Sequence, residues 1–334
     1  MIFKADPKQN GWVRIGAALL AATLLASCGG GTQVERFSPR RLIAFGDDAS
    51  VMTTGTSAKY SVNAVLYDYT TNPPTAKTDL DCNNNPIWIQ NVAGTFNLIF
   101  AECNVNNAPV TARTLATAGA TVNDVASQIT QFTSGDSLSA TDIVTVMAGA
   151  NDIIALYQQY PGQSTTDLQG AAAAAGAALG AQIIRLADLG AKIIVATAPD
   201  QGLTPYAGAQ DLTDPGRGAF LSSLSFQFNA ALRLKLEDVK EGGKSVGLVV
   251  FDERLQDMVR NYPGYGLVNI SDGSCLASAP LPSCTVSTLK KVPESGAADA
   301  TAYGWLWADP LHFGPAAQAQ LGAMAASRAV NNPF

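Results

Sequence analysis

The chain has one histidine, His312, and its five cysteines include no C-x-x-C pair, so the ligand spacing of a zinc site is missing and no metal is expected. Lysine and arginine number 21 against 27 aspartates and glutamates, for a formal charge of -6. A phosphate-binding surface needs a clustered cationic excess to release counterions, so nucleic-acid partners are excluded. There is no internal repeat. There is also no pair of similar α/β lobes about a hinge, as a solute-binding protein of an import system would need. Only 14% of the residues are charged while 47% are hydrophobic, which excludes a disordered chain and provides for a full core in 334 residues.

The N-terminal apolar run, Ala17 to Ala26, is too short to span a bilayer as a stable helix. Lys4, Lys8 and Arg14 precede it, and Leu25-Ala26-Ser27-Cys28 closes it. A basic segment, a short apolar run and small residues before a cysteine make an export signal over 1–27. The last four residues resemble the bacterial lipobox, in which the cysteine is lipidated and becomes the new N-terminus. Cys28 is therefore expected to anchor the protein in a membrane through more than one acyl chain, with residues 28–40 as a flexible tether. The absence of Asp after Cys28 resembles lipoproteins sorted to the outer membrane, on its periplasmic or cell-surface side. Export places the other cysteines where disulfides persist. Cys82 with Cys103 and Cys275 with Cys284 would close two modest loops, although four cysteines allow three connectivities.

Arg41 to Phe45 reads as a buried strand stopped at Gly46-Asp47. Lys59 to Cys82 shows no sustained periodicity and is expected to be a long loop, before a helix carrying Trp88, Ile89 and Val92. Strands are expected over Arg113 to Ala118, Ile143 to Ala148, Lys192 to Thr197 and Val246 to Phe251. Helices are expected over Val122 to Phe132, from a Thr166 or Asp167 cap to Leu189, from Asp214-Pro215 through Leu232, over Arg254 to Arg260 and over Ala316 to Val330. Such alternation implies a single α/β domain over 41–334, with a mainly parallel central sheet between two helical layers and its functional groups beyond the strands' carboxyl ends.

Four short blocks stand at those ends or in the C-terminal loop: Phe45-Gly46-Asp47-Asp48-Ala49-Ser50, Ala118-Gly119-Ala120-Thr121, Gly149-Ala150-Asn151-Asp152 and Asp309-Pro310-Leu311-His312. In that order they resemble the four blocks of the SGNH, or GDSL, ester hydrolases, whose first block reads Phe-Gly-Asp-Ser-Leu-Ser. Ala198 to Pro205, Phe228 to Leu232 and Asn261 to Gly266 are also similar to segments of bacterial GDSL lipases and esterases, so the likeness runs from Leu42 to Ala326. The resemblance implies a flavodoxin-like α/β/α sandwich acting on ester bonds in lipids, acylated glycans or a polyester. It implies His312 as base, Asp309 as the group that orients it, and the Gly119 N–H and Asn151 amide as oxyanion donors. It implies no cofactor.

Asp48 stands where that family has its nucleophilic serine, and a carboxylate attacking an ester would yield a mixed anhydride, a poor route to hydrolysis. Three arrangements are open. Asp48 and His312 activate a water; Ser50 takes over as nucleophile; or the Asp48 carboxylate fills the oxyanion site itself and pairs with protonated His312. The first two describe a hydrolase, the third a disarmed module that binds an acyl or glycan ligand. Trp305 and Trp307 are candidates to line the cleft, with burial expected for at least one.

Overall fold

The central strands are continuous apolar runs whose side chains point alternately to two faces, and both faces are covered. The computed structural model describes residues 37–290 and 301–330; the export signal, Cys28 and most of the tether lie outside them. Five parallel strands form the sheet: β1 (Arg41–Gly46), β4 (Ala112–Thr114), β5 (Asp142–Met147), β6 (Lys192–Ala196) and β7 (Val246–Val249), in the order β4-β1-β5-β6-β7. Leu42 and Ala44 of β1 face one core with Ile143, Met147, Ile194 and Val249, while Ile43 and Phe45 face the other with Val144, Val146, Ile193 and Val195.

On the first face lie α1 (Trp88–Thr95), α7 (Phe251–Arg260) and α8 (Pro315–Val330). On the second lie α2 (Val122–Gly135), α3 (Ala150–Tyr157), α4 (Thr165–Asp188) and α6 (Arg217–Glu241). This is the α/β/α sandwich with a parallel sheet that the alternation implied. Its strand order is the flavodoxin-like one, in which ligands sit where the connections from the first strand and from the third leave on opposite sides. That point falls between β1 and β5.

The alanine-rich α4 is, among the described residues, the helix long and apolar enough to cross a membrane, yet its small residues serve packing. A Cβ at Gly176 would stand 2.0 Å from the Phe228 carbonyl oxygen, so α4 and α6 approach backbone to backbone at that crossing.

Several local expectations are corrected. Lys59 to Cys82 is not all loop: β2 (Ala64–Asp68) and β3 (Thr75–Asp81) pair as an antiparallel hairpin. Most of β3 is exposed, so no buried face wrote an alternation into its sequence. The expected strand at Arg113 to Ala118 is only Ala112–Thr114, the last strand of the sheet, with a single parallel bridge from Ala112 to Phe100 on its outer side. The cap of α4 is Ser164, whose hydroxyl accepts from Asp167 N at 3.1 Å and donates to the Asp167 carboxylate at 2.7 Å. Strand β7 stops at Val249 and Phe251 already begins α7. Helix α3 and the short α5 (Pro205–Thr213) were not anticipated, because the first was read as a strand-end turn and the second follows Thr204-Pro205, a start signal within a stretch of few apolar residues. The remaining elements, β8 (Asn269–Gly273) and β9 (Trp305–Trp307), form a small parallel pair. Both disulfides, Cys82–Cys103 and Cys275–Cys284, are formed.

Candidate active site

Strand β1 ends at Gly46, whose φ of +145° and close approach to β5 admit no side chain; a Cβ would stand 2.2 Å from the Met147 oxygen. Asp47 then caps a single helical turn, Asp48 to Ser50, its carboxyl accepting from Ala49 N at 3.2 Å. This turn sets the Asp48 side chain at the carboxyl edge of the sheet.

Three other segments converge on it. Gly119, at φ +75°, donates its N–H to both Asp48 oxygens at 3.0 and 3.1 Å. Glycine is required there by that left-handed conformation and not by crowding, since an added Cβ would meet nothing within 4 Å. Asn151, in the first turn of α3, donates from Nδ2 to Asp48 Oδ2 at 2.8 Å and to the Ala120 carbonyl at 3.0 Å. The start of α3 is fixed by Gly149, φ +120°, where a Cβ would fall 2.4 Å from the Phe228 ring. Its neighbour Asp152 takes a structural role, accepting from Val122 N at 3.0 and 3.2 Å to cap α2.

The C-terminal loop supplies the imidazole. Asp309 Oδ1 accepts from the main chain of Leu311 and His312, at 2.9 and 2.8 Å, and the carboxylate contacts His312 Nδ1 at 2.8 and 2.9 Å. Nε2 is thereby turned toward Asp48 Oδ1, 3.5 Å away, and the Tyr60 ring meets the imidazole edge-on at 5.9 Å. Asp48, Gly119, Asn151, Asp309 and His312 are thus brought to one small volume. Among the described residues no group of three or more His, Cys, Asp or Glu side chains is arranged to hold a metal ion.

Ser50 is not part of it. Its side chain is fully buried and its Oγ accepts from the Trp88 indole at 3.0 Å on the α1 side of the sheet, which removes it as a substitute nucleophile. Trp305 and Trp307 are both buried behind the site; Trp307 stacks on Phe313 and donates to the Ile270 carbonyl, so neither lines the cleft. The cleft itself is narrow, with about 30 Å³ of room in the measure in which one water takes roughly 10–15 Å³. Besides Asp48, Asn151 and His312 it is lined by Asp47, Tyr60, Met147, Ile154 and Gln201. Asp47, Tyr60 and Gln201 were not singled out from the sequence. Tyr60 sits in a stretch without periodicity, and Gln201 in a segment noted only for its family likeness.

The charge states follow from burial and partners. Burial alone would raise the Asp48 pKa, but hydrogen bonds from His312 and Asn151, the imidazolium charge and the Gly119 N–H outweigh it and hold the carboxyl below its usual range. Asp309 is held low in the same way, burial being outweighed chiefly by His312. Burial would lower the His312 pKa, yet the two flanking carboxylates push it up to about 10. Asp47 goes up to about 8, from burial first and the Asp48 charge second. At neutral pH the site therefore holds two carboxylates, one imidazolium between them and one carboxylic acid. At 3.5 Å and an effective dielectric of about 20, the attraction between Asp48 and His312 is roughly 5 kcal/mol before desolvation.

Stability should follow these protons. Asp47 and His312 bind protons more tightly folded than unfolded, at about 8 against 3.8 and about 10 against 6.5. The His312 contribution is complete below pH 6.5 and is lost as pH rises through about 10; that of Asp47 is already fading and is gone above about 8. Lys59, buried and lowered to about 8, titrates in the opposite sense only above that pH. Tm is therefore expected to fall from pH 6.5 to 8. The fall should be smaller in Asp47→Asn, which keeps an oxygen for Ala49 N–H, and identical slopes in the two proteins would contradict this assignment of charge.

Residues 42–324 match the profile of the GDSL-like Lipase/Acylhydrolase family. No curated protein matches the chain. Among solved structures, a variant of an acetyl xylan esterase from Geobacillus stearothermophilus is similar at 12% identity and a TM-score of 0.45, over 89% of this chain and 97% of that one. A lipase/acylhydrolase from Enterococcus faecalis is similar at 14% identity and a TM-score of 0.39, over 88% and 98%. A member of the lipolytic G-D-S-L family from Veillonella parvula is similar at 12% identity and a TM-score of 0.41, over 85% and 95%.

Proposed function

This chain belongs to the GDSL-like lipase/acylhydrolase family, and from that premise we propose that it is a disarmed member: an ester-recognising module of the cell envelope that binds an acylated small molecule and does not turn it over at neutral pH. One observation carries the reading. The Asp48 carboxylate takes the hydrogen bonds of Gly119 N and Asn151 Nδ2 and pairs with His312, so the donors that would receive an oxyanion are occupied by a resident anion.

Turnover is blocked at two steps. A carboxylate in place of a hydroxyl brings a second negative charge toward a developing oxyanion, and the imidazole that would take a proton already holds one. The intact Asp309–His312 pair favours a second reading, hydrolysis through a water polarised by Asp48 and His312. That route needs neutral imidazole and so belongs to pH values near and above 10. Wild type and His312→Ala, assayed on short acyl esters at pH 7, are expected to be equally inert. Turnover at pH 7 that His312→Ala abolishes would refute the disarmed reading and favour the water route.

The envelope location rests on the lipobox-like Leu25-Ala26-Ser27-Cys28 at the end of a basic and then apolar leader, and outer-membrane sorting on the absence of Asp after the cysteine. Labelled palmitate is expected to be incorporated by the wild type in its bacterial host and not by Cys28→Ala. Equal labelling of the two would remove the anchor from the proposal.

A further inference from the structure

Within the cleft, Gln201 is a buried polar side chain that the chemistry above leaves without a use. It is 1% exposed, and its Oε1 finds no hydrogen-bond partner in the protein, while Nε2 reaches only the Pro199 carbonyl at 3.5 Å. A buried amide carbonyl without a donor is a costly group for a fold to keep, and Gln201 is the residue among those with such an atom that lines the cleft, where a ligand can supply the donor.

The residue is held firmly. Its main-chain N–H donates to Ser225 Oγ at 3.0 Å and its carbonyl accepts from Thr204 Oγ1 at 2.7 Å. Asn229 pins the strand end just before it, accepting from Ala198 N at 2.9 Å and donating to Ala198 O at 2.8 Å. Placement across the sheet is equally definite. Asp48 follows β1, Asn151 follows β5 and Gln201 follows β6, which are successive neighbours, so Gln201 stands about two strand spacings, roughly 10 Å, from Asp48 along the cleft.

We infer that Gln201 is a specificity-determining residue whose side-chain carbonyl accepts a hydrogen bond from a free hydroxyl on the bound ester, a few bonds from the ester carbonyl, so that the cleft takes hydroxylated esters in preference to plain alkyl esters. The donor is neutral, because the oxygens of Asp48 and Asp309 are already engaged by Gly119, Asn151 and His312 and offer a buried ammonium no free counter-charge. Sites built around an acceptor discriminate against the analogue that lacks the donor, since the acceptor is then left buried and unpaired. Apolar Met147 and Ile154, which line the same cleft, offer surface for the carbon skeleton but provide no such discrimination.

The inference rests on the cleft taking an ester ligand, and its test reads binding without turnover. Asp48→Ala vacates the donors of Gly119 and Asn151. Equilibrium binding to this variant is measured for two matched pairs, 2-hydroxyethyl acetate against ethyl acetate and methyl 3-hydroxybutyrate against methyl butyrate, which place the hydroxyl on the alcohol and on the acyl side. One hydroxylated ester is expected to bind about tenfold more tightly than its partner. The preference should fall to within about twofold in Asp48→Ala/Gln201→Met, where an unbranched apolar side chain of similar length replaces the amide. Equal binding within both pairs, or a preference that survives Gln201→Met, overturns the role of Gln201 and leaves the ester-binding reading standing. Binding of none of the four esters overturns both.

Discussion

Asp48→Ser is expected to raise the hydrolysis of short acyl esters at pH 7 by on the order of a thousandfold over the wild type, in line with what a working nucleophile adds to an otherwise assembled triad. The serine oxygen would stand about where the carboxyl carbon now lies, within reach of His312 Nε2, which is 3.5 Å from Oδ1. The carboxylate oxygens would be gone, and with them the occupants of the two donors. Those oxygens mark where an oxyanion would sit: Gly119 N and Asn151 Nδ2 approach them at 2.8 to 3.1 Å, the range that oxyanion stabilisation requires. Asp48→Asn is the control, because it removes the charge, keeps the shape and supplies no nucleophile. A folded Asp48→Ser protein as inert as Asp48→Asn would sink the proposal that a resident carboxylate is what keeps this site from turning over.

The second large effect is electrostatic. His312 is the sole histidine of the chain, so its imidazole signals in an NMR titration need no assignment. In the wild type they should titrate near pH 10, and in Asp48→Asn the midpoint should fall clearly toward the ordinary imidazole range, because one of the two carboxylates that hold it up is gone. Asp309→Asn should lower it as well, since the Asp309 carboxylate lies closer, at 2.8 Å from Nδ1. An imidazole titrating near its ordinary 6.5 in the wild type would show that it is not locked between two carboxylates. It would also restore the neutral base that the water route needs. The two experiments are linked, because the change that restores a nucleophile also removes one of the two charges that hold the base protonated.

Much of this was legible in the residues. The runs Arg41 to Phe45 and Ile143 to Ala148 are apolar on both faces, which only a covered parallel strand permits, and the breaks at Gly46-Asp47 and Gly149 announced where the chain leaves the sheet. Trp88, Ile89 and Val92 announced the buried face of α1 by their spacing. The hairpin of β2 and β3 announced nothing, since a two-stranded ribbon exposed on most of its surface has no apolar face to encode. Ser50 shows the other kind of difficulty. Two residues from the family's nucleophile position it is chemically a candidate, and only the path of the turn toward Trp88 takes it out of the cleft.

By itself the sequence determined the α/β class, the order of the blocks and the identity of the groups at the site, because burial periodicity and local turn chemistry are short-range and are written in neighbouring residues. The tertiary structure decided which of those groups meet. Whether Asp48 faces water, substrate or the main chain of Gly119 depends on residues 71 and 103 positions away at Gly119 and Asn151, and on how closely β1 runs beside β5. The same holds for Gln201, whose unpaired carbonyl is a property of everything packed around it. Hydrogen bonds between distant segments form only once the core has fixed the distances, and those distances make Asp48 the occupant of the site.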